Sequence, residues 1–102
     1  YWSYSLVLNT DHPEKDWYIF RDLFQKNGGD GYYAAWKLSY NEPLFQNIVQ
    51  GMDGIWQKYD SLLCPVSEYL QPRMIQLKTN YWNLDEAKEQ AAILKKTIKE
   101  FK

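Results

Sequence analysis

Apolar residues at Leu84, Ala87, Ala91, Leu94, Ile98 and Phe101 are separated by steps of 3, 4, 3, 4 and 3, a spacing that a helix gathers onto one face. Asn83 stands ahead of them as an N-cap, and Glu86, three residues on, is its capping-box partner. Trp82 is placed to staple onto Ala87. Asp85, Glu86 and Glu89 come early and Lys95, Lys96, Lys99 and Lys102 late, the order the helix dipole favours. The rest of the chain must therefore present a surface on which one helical stripe is buried.

That surface begins at the other end. In Trp2-Ser-Tyr-Ser-Leu-Val-Leu-Asn9 the apolar positions Trp2, Tyr4, Leu6 and Leu8 alternate with Ser3, Ser5, Val7 and Asn9, the period of a strand. Pro13 then breaks the strand and opens a helix, with Glu14 and Asp16 in its first turn. Trp17, Phe20, Leu23 and Phe24 form its apolar stripe, and Asn27-Gly28-Gly29 supplies a left-handed stop. The aromatic and small residues from Tyr32 to Tyr40 read as a strand running into a loop. Leu44, Phe45, Ile48 and Val49 suit one or two helical turns. Pro65 heads a short helix over Val66 to Leu70 that Pro72 must break or kink, and Leu77 to Asn80 reads as a short strand. The expected class is α+β: a small, mostly antiparallel sheet with helices packed on one face.

Length and charge narrow the function. At 102 residues the chain is one domain, and 12 Lys+Arg against 13 Asp+Glu leave a net charge of −1. No cationic surplus is present to neutralise phosphates, so an electrostatic nucleic-acid binder is excluded, leaving only a stacking-driven contact. No apolar run reaches the roughly 20 residues of a membrane helix, and no leader pattern is seen, so a cytoplasmic protein is expected. Cys64 is the single cysteine and has no internal disulfide partner. The 5 Trp, 9 Tyr and 4 Phe are the excess, and 12 of these 18 aromatics fall within residues 1–45. So large an aromatic load asks for a partner surface or a ligand. Because the alternation starts at Tyr1 with no preceding Met, either a tag or leader has been removed or the chain is a piece of a longer protein, and the second is expected.

Few residues suggest covalent chemistry. His12, the only histidine, is expected to be an exposed turn residue, and one His with one Cys cannot build a common zinc site. No metal is expected. Cys64, before Pro65, is expected to be a buried structural thiol; a nucleophile would need a cation or a helix start to lower its pKa, and its place at the head of the Pro65 helix leaves that open. The run Gly28-Gly29-Asp30-Gly31 lacks the context of a phosphate loop and reads as a helix stop. Tyr32, Tyr33, Trp36, Lys37 and Tyr40 are the more suggestive group: rings beside a cation can stack on a sugar or base.

The order of these segments resembles a known family. The opening Trp2 to Leu8, the stop at Asn27-Gly28-Gly29, Gly31-Tyr32-Tyr33-Ala34-Ala35-Trp36 leading to Glu42-Pro43-Leu44-Phe45, Cys64-Pro65-Val66-Ser67-Glu68 and the final helix together carry the likeness. It is to the C-terminal small domain of DegT/DnrJ/StrS-type sugar aminotransferases, fold-type I enzymes dependent on pyridoxal phosphate. The likeness spans nearly the whole chain and is weakest over residues 46–63.

This resemblance implies that the full protein transfers an amino group from an amino donor to a keto sugar nucleotide, as a homodimer. It also implies that the cofactor and the lysine bonding it belong to a large N-terminal domain, so that this chain alone is catalytically silent. By position it assigns Tyr33, Trp36 and Lys37 to the substrate side. Tyr33 stands near the family's histidine and Ala35 near its proline, which leaves a dehydratase-like relative open beside the aminotransferase. A different class also stands: a free-standing, aromatic-rich carbohydrate-binding or interaction module.

Overall fold

The computed structural model describes residues 2–34, 37–45 and 64–101, Tyr33 by its backbone alone. It is an α+β fold. Strand β1 (Ser3–Val7) leads to helix α1 (Pro13–Lys26), then to the short strand β2 (Tyr33–Ala34) and a 3₁₀ turn at Ser39–Asn41. Residues 43–45 are helical. Helix α2 (Pro65–Leu70) passes through a 3₁₀ turn at Gln71–Arg73 into strand β3 (Met74–Lys78), and helix α3 (Leu84–Glu100) follows.

Helix α1 begins and ends as its sequence dictates. Pro13 occupies the first turn, where its missing N–H costs nothing, and the His12 carbonyl accepts from Asp16 N–H at 2.9 Å. The Thr10 hydroxyl donates to the Asp16 carboxylate and accepts from His12 N–H at 3.0 Å, closing the entry turn. At the other end Gly29 N–H donates to Phe24 O at 2.9 Å and Gly28 N–H to Gln25 O at 3.0 Å, the paired bonds of a Schellman stop. Gly28 adopts φ +94°, the left-handed conformation such a stop requires. Gly29 is held by space instead, since a Cβ there would lie 2.4 Å from the Phe24 ring.

The last strand in the chain is the centre of the sheet. The order is β1-β3-β2, both pairs antiparallel, with Tyr4 opposite Leu77, Leu6 opposite Ile75 and Ala34 opposite Ile75. Alternation sends Ile75 and Leu77 inward, where Leu8, Phe20 and Phe24 complete the buried cluster. Both long helices cover this face. Phe20 meets Phe101 edge to face at 5.2 Å, and Trp17 meets Tyr32 likewise at 5.3 Å. Trp17 Nε1–H donates to Met74 O at 2.9 Å, tying α1 to β3.

Several expectations are corrected. The strand expected at Leu77 to Asn80 runs three residues earlier, because the turn at Gln71–Arg73 ends the Pro65 helix and Leu8 N–H takes up Arg73 O at 3.0 Å. The segment from Tyr32 to Tyr40, expected as a strand running into a loop, has its described strand at Tyr33–Ala34, and beyond residues 35–36, which lie outside the described residues, Ser39–Asn41 coils into a 3₁₀ turn closed by Glu42 N–H on Ser39 O at 3.1 Å. Trp82 is 99% exposed and makes no staple; Asn83 Oδ1 accepts from Glu86 N–H at 2.8 Å and its amide donates back to the Glu86 carboxylate at 2.7 Å. Cys64 is exposed rather than buried, its carbonyl accepting from Glu68 N–H at the start of α2.

The stripe of α3 is only half buried. Leu84 is 67% and Ile98 53% exposed, while Thr97 is completely buried and Gln90 and Ile93 are partly covered. The helix is rolled toward the glycine stop of α1. Asn27 donates to Thr97 Oγ1 at 3.2 Å, the Thr97 hydroxyl donates to Ile93 O at 2.9 Å, and Asp30 N–H donates to Gln90 Oε1 at 2.9 Å. Hydrogen bonds to groups leaving a helix end thus outweigh the last few apolar contacts.

Candidate functional site

The roll of α3 opens a groove of about 550 Å³ between that helix and the β1–β3 edge of the sheet. Its floor is Leu77, Phe24 and Leu94, and its walls are Tyr4, Ala91 and Ile98. One end is closed by a polar cluster. Lys78 Nζ lies 3.5 Å from the Asp30 carboxylate and 4.6 Å from the centre of the Tyr81 ring, and the Tyr81 hydroxyl donates to Asp30 at 3.1 Å. Partial burial, then this hydrogen bond and the carboxylate charges of Asp30 and Glu86, push the Tyr81 phenol up to about 12. Along the open rim Lys95 and Lys99 are exposed, and neither has an ion-pair partner among the described residues.

Of the residues expected on the substrate side, Lys37 is not among those that line the groove. Tyr33 lies on β2, paired in register with Gln76, and Trp36 falls outside the described residues. Lys37 is exposed between β2 and the 3₁₀ turn. Nearby, the Tyr40 hydroxyl donates to the Glu68 carboxylate, joining the 3₁₀ turn to α2. Partial burial, that hydrogen bond and the Glu68 charge raise the Tyr40 phenol to about 12, with a smaller contribution from Cys64. Tyr32 is raised further still, chiefly by burial beneath α1.

His12 is exposed, and no group of three or more His, Cys, Asp or Glu stands together as a metal site among the described residues. Every described lysine is exposed. No helix among them is long and apolar enough to cross a membrane.

Sequence reasoning missed the groove because it counted the α3 stripe as wholly buried. The signal was present in Gln90 and Thr97, polar residues one position before Ala91 and Ile98, which mark a second face able to turn inward. No family model, curated protein or solved structure matches the chain.

Proposed function

We propose that this chain is the small C-terminal domain of a pyridoxal-phosphate-dependent aminotransferase acting on a keto sugar nucleotide. The observation carrying this reading is a surface left unfinished around a small core. Five hydrophobic side chains are buried among the described residues, while Trp2, Val66, Trp82 and Leu84 are exposed on several elements. So small a buried core beside so many exposed large apolar side chains suits a body covered by a larger domain and a second subunit. The cofactor, held by that larger domain, supplies the electron sink for amino transfer. The present chain contributes Tyr33, Trp36 and Lys37 toward the sugar nucleotide, with Lys37 facing its negative phosphates. A cytoplasmic homodimer goes with this reading, and the single thiol accords with a reducing compartment.

Reading the coding sequence upstream of Tyr1 and assaying the encoded protein tests the proposal. An in-frame large domain, with transfer of an amino group from glutamate to a keto sugar nucleotide, is expected. In that protein Lys37→Ala should raise KM for the sugar nucleotide about tenfold and leave KM for the amino donor unchanged. An immediate start codon, or a shift of both KM values together, would overturn it. The groove beside α3 favours a second reading, an interaction module that binds a ligand by itself; saturable carbohydrate binding by the isolated, monomeric chain would establish that one instead.

A further inference from the structure

We infer that the groove between α3 and the β1–β3 edge receives an amphipathic helix flanked by acidic side chains, contributed by a partner. This inference stands on the groove and not on the aminotransferase reading. The part of α3 along the groove runs from Gln90 to Lys99, about 14 Å or two and a half turns at the rise of an α-helix. Ala91, Leu94 and Ile98 present a ladder at steps of 3 and 4, the surface onto which another helix sets its own i, i+3 and i+7 residues. Ala91 is small and permits close approach of the two backbones.

Charge selects the occupant. Asp30 is satisfied by Lys78 and Tyr81, so the cations at the open rim, Lys95 and Lys99, have no counter-charge among the described residues. A second copy of this chain would bring Lys95 and Lys99 against their own images across a two-fold axis, which like-charge repulsion disfavours. An incoming helix with Glu or Asp beside its apolar face meets them with opposite charge.

The test uses two synthetic helical peptides of about 15 residues with the same Leu/Ala apolar face, one flanked by glutamates and one by lysines. Each is titrated into the full chain at low salt and followed by fluorescence anisotropy. The acidic peptide should bind at least about tenfold more tightly than the basic one. Ile98→Asp should abolish its binding. The double variant Lys95→Glu/Lys99→Glu should reverse the preference, and since all three side chains are exposed, unchanged far-UV circular dichroism confirms that the variants fold. Equal binding of both peptides, binding of neither, or a dimer in sedimentation that Ile98→Asp dissolves would overturn the inference.

Discussion

Gly28 and Gly29 are adjacent, yet they are glycine for different reasons, and substitution separates them. At Gly28 the positive φ is the constraint, and a Cβ would meet Ile93 Cδ1 at an ordinary 3.6 Å. Gly28→Ala should therefore cost about 1 kcal/mol. At Gly29 a Cβ would overlap the buried Phe24 ring, so Gly29→Ala should cost more, about 2 to 3 kcal/mol, as read by urea denaturation. Thr97 offers a third comparison. Thr97→Val keeps the shape but removes the hydroxyl between Ile93 O and the Asn27 amide, for an expected loss of about 1 kcal/mol. Tyr81 sets a pH limit on the fold. Its phenol loses a proton near 10 when unfolded and near 12 when folded, so the unfolded chain releases the proton first as pH rises. Stability should hold below pH 10 and fall between about 10 and 12, and Tyr81→Phe should lessen that fall in urea midpoints measured across the window.

The helices show what a sequence does and does not carry about an element. The ends of α1 and the start of α3 were readable because caps are local: Pro13, Gly28 and Asn83 act within a few residues of themselves. Asn83→Ala should accordingly lower stability by about 1 kcal/mol in denaturant titration. The facing of α3 was not readable. A 3–4 apolar repeat averages 3.5 residues against 3.6 for the helix, so its stripe drifts around the axis, and Gln90 and Thr97 decide which side turns inward. Their partners lie on the far side of the chain, at Asn27 and Asp30, where no local pattern points. The strand at Met74–Lys78 was misplaced for a related reason. Its alternation begins with Met74 and Ile75 just past Pro72, and only pairing with Leu6 and Tyr4 fixes its start.

For the whole molecule, the α+β class and the order of elements followed from periodicity, whereas the strand order did not. Nothing local says that the late strand lies between the two early ones. The candidate site divides the same way: the aromatic cluster around Lys37 stands out in the sequence but does not point to the groove, which emerges only from the way α3 sits on the sheet. The exposed rings on the surface carry a further expectation. Trp82 makes no staple, so Trp82→Ser should change stability by less than about 0.5 kcal/mol while raising the solubility limit in concentration series.

The central place of β3 has a consequence for the order of assembly. Among the described residues, strands β1 and β2 do not pair with each other, and each pairs with Met74–Lys78. During synthesis both strands are made about 40 to 70 residues before that partner. Helix α1 can wind early from its own caps, but the two strands wait with open edges until Met74–Lys78 has emerged, and the sheet then closes from its middle outward.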